Sequence, residues 1–199
     1  MDSVQDIGTE ARILAAAEEV FMRDSFDGAR MQVIAEAAGI NKAMLHYYFR
    51  SKEKLFEQVL QKRIGSFLPE VTAAFTSKQT LEERIEAFVD AYLKFLTSNP
   101  QLPMFILFSI YRNPKFVELL PRTMFEVVTT YFSRETQAGR LKNVDPGHFL
   151  ISLLSMCIFP YVARPVASHM MGKDQEGYDA FLSERKTEIM KIIRVMTQP

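Results

Sequence analysis

Apolar residues recur along the chain at intervals of three and four, and strand-like alternation is absent, so the sequence reads as all-α. Ile13, Ala17, Val20 and Phe21 form one stripe of a first helix, from about Thr9 to Arg23. Ile34, Ala35 and Ala38 lie a turn apart on a second, short segment, where Gly39 supplies the backbone freedom of a tight stop and Ile40 plugs the corner. Asn41 opens a third: its side chain accepts the free amide hydrogens of the next turn, and Leu45 and Phe49, spaced i,i+4, point inward. A fourth helix begins after Ser51 and carries Leu55, Val59, Phe67 and Val71, although Gly65 and Pro69 threaten a bend.

Further along, Thr80-Leu-Glu-Glu83 fits a capping box opening a helix with Ile85, Phe88, Val89, Tyr92, Leu93 and Leu96. Asn99-Pro100 and Asn113-Pro114 read as two cap-plus-proline starts. Between them residues 102–111 are apolar on every side, and Pro121 is expected to break or bend the chain before Met124, Val127, Val128, Tyr131 and Phe132. Asp145-Pro146 opens a helix that is again apolar all round, and the last helix, about Tyr178 to Met196, is amphipathic through Phe181, Ile189, Ile192 and Met196.

The second and third helices, joined by the glycine turn, have the layout of a helix-turn-helix. Lys42, Ala43, His46 and Tyr47 fall on the outer face of the third. A helix of two turns has no stability of its own, so holding its polar face outward on a packed scaffold makes sense when something docks there, and the major groove of DNA fits.

Charge adds a local argument only. The 199 residues have a formal net charge of zero and a pI near 6.8, so the whole protein is no polycation. Residues 28–54 nevertheless hold Arg30, Lys42, Arg50, Lys52 and Lys54 against Glu36 and Glu53, whereas the first helix is rich in Glu and Asp. A lone Cys157 in an apolar run excludes an intramolecular disulfide, and the start, Met-Asp-Ser, has neither a basic nor an apolar leader pattern. The longest apolar stretch, 149–163, is too short for a comfortable membrane span and contains Pro160. A cytoplasmic protein with no membrane partner is the expectation.

The chain resembles the TetR family of bacterial transcription regulators. The resemblance rests on Ile34-Ala35, Ala38-Gly39-Ile40, the aromatic cluster from Leu45 to Phe49, and Ser51-Lys52-Glu53-Lys54-Leu55, and it covers roughly residues 8–60. It implies an N-terminal three-helix DNA-binding domain over 1–51, and a C-terminal helical bundle over 52–199 for ligand binding and dimerisation. It also implies that Tyr47, Tyr48 and Lys52 grip phosphates while Lys42, Ala43 and His46 face base edges, with Gln32 and Asn41 in the same DNA-facing set. The family usually opens its second helix with Thr or Ser, where this chain has Ala29-Arg30, and often has Gly and Tyr where this chain has Ala43 and His46. Arg30 is then expected to replace the lost hydroxyl as a phosphate contact.

Two further sets follow. The chain has 16 Phe, 7 Tyr and 11 Met but no Trp, and residue types of this kind surround apolar ligands well. A small-molecule effector is expected among Phe88, Tyr92, Phe95, Met104, Phe105, Phe108, Tyr111, Met124, Phe125 and Tyr131. Two helices that are apolar all round exceed what one small bundle covers, so a homodimer is expected through Phe149, Leu150, Leu153, Leu154 and Cys157 of one helix and Phe181, Ile189, Ile192 and Met196 of the last. His46, His148 and His169 fit no metal or catalytic spacing, so neither cofactor nor enzymatic activity is expected. The reading is a dimeric repressor of a palindromic double-stranded operator, released by a small apolar or aromatic ligand. The alternatives are a ligand-independent DNA-binding protein of the same fold, and a small-molecule-binding or catalytic bundle that does not bind DNA.

Overall fold

The computed structural model describes residues 2–76, 80–120, 122–139 and 145–197, and every regular element among them is helical. They divide into two compact units, residues 1–66 with 105–120, and residues 67–104 with 121–199. The division falls inside two helices, α4 (Lys52–Thr76) and α6 (Leu102–Arg112), so the first unit includes residues on both sides of position 51.

The first unit is built on α1 (Asp2–Gly28), α2 (Met31–Ala37), α3 (Lys42–Tyr48) and the first half of α4. Its core is the stripe read from the sequence, Ile13, Ala17, Val20 and Phe21, closed by Ile34 and Ala35 of α2, Leu45 of α3, and Leu55, Phe56 and Val59 of α4. Phe56 is the hub. Its ring lies 5.0 Å from both Phe21 and Phe26 and 4.6 Å from Phe116, which belongs to a 3-10 helix at Pro114–Leu119. Asn113 accepts from the amide of Lys115 and Pro114 follows it, as expected of that start, but the element it opens is this short 3-10 helix of six residues.

α1 outruns its expected end at Arg23 and is kinked at Ser25, whose φ of 61° and ψ of 172° lie in a region that is essentially reserved for glycine. The amide of Ala29 still reaches the Ser25 carbonyl, at 3.2 Å.

In the second unit α5 (Leu81–Ser98), α7 (Arg122–Gln137), α8 (Pro146–Val162) and α10 (Gln175–Thr197) pack around Phe88, Val89, Phe132, Phe149, Leu153, Cys157 and Ile189, with α9 (Arg164–Met170) a short addition that the periodicity did not foretell. The helix starts follow local chemistry. Thr80 and Glu83 form the capping box, and the amide and hydroxyl of Thr80 hold the Glu83 carboxyl below its usual range. Asp145 accepts from the amide of His148 at 2.8 Å, with Pro146 at the first turn of α8. Asn99 behaves differently from the expected helix start: it ends α5, its side chain donating to the Phe95 carbonyl at 2.9 Å, and α6 begins only at Leu102. Pro69 is accommodated inside α4, while Pro121 and the side chains of Phe67 and Val71 lie outside the described residues. No single described helix is long and apolar enough to cross a membrane; α8 and α9 together reach that composition but are bent by 78° at their junction.

The same backbone physics acts with opposite sign at Ser25 and at Gly39, whose φ is 67°. Ser25→Gly is expected to raise the stability of the first unit by about 1 kcal/mol by removing strain. Gly39→Ala is expected to lower it by about 1–2 kcal/mol, a purely conformational cost because a Cβ at Gly39 meets nothing within 4 Å. Denaturant unfolding of the two variants checks both signs.

Candidate nucleic-acid interface

The turn between α2 and α3 is set by three backbone bonds. Ala38 donates to Ile34, Gly39 to Glu36 at 3.0 Å and Ile40 to Ala35 at 3.0 Å, the crossed pair of a Schellman stop with glycine at its left-handed position. Asn41 then caps α3, its Oδ1 accepting the Met44 amide at 2.8 Å. Leu45 is fully buried and Phe49 nearly so, and these two anchors fix the rotation of α3 about its axis.

With that rotation fixed, Lys42, Ala43, His46 and Tyr47 are exposed together, Tyr47 at 80%. Tyr48 is half-buried, its ring edge-on to Tyr47 with centroids 5.6 Å apart. Arg30 is exposed just before α2 and makes no side-chain cap there. Gln32 is exposed and donates to Glu36 at 2.7 Å; Asn41 is exposed although its oxygen serves the cap. Met44, absent from the sequence-derived set, is 44% exposed on the same short helix. The signal that could have found it is helical geometry: only Leu45 and Phe49 are needed as anchors, so Met44 had no inward duty. An exposed thioether there suits the one apolar feature of the major groove, the thymine methyl.

Lys52, an expected phosphate contact, has partners within the chain. Its ammonium donates to the carbonyls of Asp27 and Ala29, at 3.3 and 3.2 Å, and sits 4.7 Å over the Phe26 ring. Carbonyls left open where α1 ends attract a cation, so Lys52 staples α4 to the α1–α2 corner and acts on the motif from within. Lys54 is paired with Glu57 at 2.8 Å. Ser51 accepts the Lys54 amide at 3.2 Å at the start of α4, and Glu53 has a carboxyl lowered by backbone hydrogen bonding and the Ser51 hydroxyl. Arg30, Lys42, Arg50 and Lys54 are therefore the exposed cations of this segment, and of these Lys54 has its charge offset by Glu57.

The other two sets are placed differently from expectation. Of the ten expected ligand residues, Phe105, Phe108 and Tyr111 belong to the first unit, whereas Phe88, Tyr92, Phe95 and Tyr131 belong to the second. Phe88 is fully buried among Phe75 and Tyr92, Tyr92 and Phe95 pack against the same core, Met104 and Phe125 are exposed, and the side chain of Met124 lies outside the described residues. Tyr131 lines a groove within the second unit. Of the expected dimer residues, Phe149, Leu150, Leu153, Cys157 and Ile189 face the chain's own core; Leu154 and Met196 pack beside it, Phe181 is half-buried and Ile192 is exposed. The exposed apolar line of α8 runs instead through Ile151 and Phe159, with Ser152 and Ser155 beside it. Burial pushes the Cys157 thiol up to about 12, consistent with an inert side chain.

This geometry defines a helix-turn-helix protein whose short third helix is presented for the major groove. Residues 13–59 match the sequence model of the family described as "Bacterial regulatory proteins, tetR family". The protein of Bacillus subtilis (strain 168) named "Probable HTH-type transcriptional regulator YttP" is 24% identical over 94% of this chain and 95% of its own length. The HTH-type transcriptional repressor NicS of Pseudomonas putida is 46% identical over 59 residues, 30% of this chain and 28% of its own. Among solved structures, a transcriptional regulator of Streptomyces coelicolor, SCO4942, superposes with a TM-score of 0.75 over 95% of this chain and 98% of its own, at 19% identity, a likeness of fold. Over residues 13–59, which hold the helix-turn-helix, the chain is similar to the DNA-binding domain of the TetR family of transcription regulators.

Arg30 and Lys52 should separate surface charge from internal staple. Arg30→Ala is expected to flatten the salt dependence of DNA binding by roughly one unit of slope per subunit, with unchanged thermal unfolding. Lys52→Ala is expected to leave the slope unchanged while costing the first unit about 1–2 kcal/mol, since two charge-assisted hydrogen bonds are lost. Salt titrations and unfolding curves on both variants check the contrast.

Proposed function

We propose that the chain is a repressor that binds a near-palindromic double-stranded operator as a homodimer and releases it when a small molecule occupies the C-terminal unit. The observation that carries this reading is the outward polar face of α3, held by the buried Leu45 while Tyr47 is 80% exposed. A two-fold dimer must set its two α3 helices one turn of DNA apart, roughly 34 Å, so a ligand that favours another separation weakens binding without any chemical step. The activity is binding rather than catalysis, and a reducing cytoplasm suits the free, buried Cys157.

Dimerisation rests on apolar surface that the second unit leaves uncovered. Ile151 and Phe159 of α8 are 59% and 65% exposed, and Ile192 and Val195 of α10 are 45% and 76% exposed. Faces this apolar are ordinarily covered by a partner, and here a second copy supplies the matching surface.

Selection of bound duplexes from a random library with the full chain tests the DNA reading. The expected product is two inverted half-sites about 10 base pairs apart centre to centre; enrichment of no sequence, or of a single unpaired half-site, contradicts it. For the interface, Ile151→Arg or Phe159→Arg is expected to give a folded monomer in sedimentation. Leu153→Arg, which places a charge in the monomer's own core, is expected to unfold the second unit instead.

A further inference from the structure

Within the second unit a groove of about 550 Å³ opens between the end of α4, the start of α5 and α7. Phe75, Val127 and the ring of Tyr131 give it an apolar lining, and Arg84, Arg134, Thr130 and Glu126 supply its polar groups. We propose that this groove binds an organic carboxylate with an apolar or aromatic body, and that this is the effector class of the regulator. The proposal rests on the ligand-regulated reading for its consequence on DNA, and not for the binding itself.

Two cations line the groove. Arg84 is half-buried and held in place: its guanidinium lies over the Tyr131 ring, 4.6 Å from the centroid, and donates to the Phe75 carbonyl. Arg134 is one turn beyond Tyr131 on α7, at i,i+3, on the neighbouring surface position; among the described residues no ion pair to it is seen. Glu126, the one carboxylate of the lining, stands on the same stripe of α7 but eight residues back, about 12 Å along the helix.

This arrangement selects by charge and by shape. Planar guanidinium forks match a planar carboxylate, and one fixed by stacking on an aromatic ring loses little freedom on binding. The apolar lining is covered only if the anion carries an apolar body, so a small hydrophilic anion gains the charge contact and nothing else. The volume lies in the range of small-molecule sites, about 300–1,000 Å³. A second negative charge would meet Glu126, which favours monoanions.

The test is calorimetric titration of the full chain with 4-phenylbutyrate and decanoate, with the matched alcohols 4-phenylbutanol and decanol, and with inorganic phosphate. The acids are expected to bind at least about tenfold more tightly than their alcohols, and phosphate more weakly than either acid. Arg134→Gln, at an exposed position whose loss does not disturb the core, is expected to abolish most of that preference while leaving alcohol binding unchanged. Glu126→Gln is expected to tighten the acids, and Thr130→Trp, which fills the groove, to weaken acids and alcohols alike. Equal affinity for acid and alcohol, an unchanged preference in Arg134→Gln, or no binding of either acid up to about 5 mM overturns the proposal. If the acids bind in the expected pattern but leave DNA affinity unaltered, the site stands and the regulatory reading falls. If they fail to bind while the chain still selects an operator, the site falls and the DNA reading stands.

Discussion

Everything at the DNA-facing end depends on the burial of one side chain. α3 has seven residues, far fewer than an isolated helix needs in water, so its existence and its rotation are both set by Leu45 seated in the core of α1, α2 and α4. Because Leu45 and Phe49 lie inward, Lys42, Ala43, His46 and Tyr47 have no other place than outward. The Gly39 stop and the Asn41 cap satisfy the backbone at both ends of the corner and leave little freedom in the angle at which α3 leaves α2.

That dependence explains how a chain of zero net charge can serve as a nucleic-acid reader. Of the five cations from Arg30 to Lys54, Lys52 is used on the carbonyls of Asp27 and Ala29, and Lys54 is paired with Glu57 on the surface. The remaining three are few, so position matters more than total charge, and the rigid corner supplies position. Lys52 contributes by holding α4 against the end of α1. Arg112 of the first unit pairs with Asp27 in the same neighbourhood, so the corner is braced from two elements.

What the sequence made legible was local chemistry. The Thr80–Glu83 box, the Asp145-Pro146 start, Gly39 and Asn41 each act through bonds a few residues away, and each appears where its motif placed it. What stayed hidden was orientation and long-range partnership. α8 is apolar on all sides, so periodicity could not say that Phe149, Leu150, Leu153 and Cys157 face inward while Ile151 and Phe159 face outward. Asn99 can cap a helix start or close a helix end with equal local merit, and only the position of α6 decides. Nor does spacing reveal that Phe116, sixty residues past Phe56, completes the first core, or that the ammonium of Lys52 turns inward. The groove of Arg84, Tyr131 and Arg134 joins two helices whose facing sides no single-helix pattern reports.

The account turns on the claim that the outward face of α3 is what meets DNA. Hydrogen–deuterium exchange of the full chain, with and without a duplex carrying its selected site, measures this most directly. The account predicts that protection on binding is strongest across residues 28–54, with α3 at its centre. Protection confined to the second unit, with unchanged exchange in α2 and α3, would contradict it.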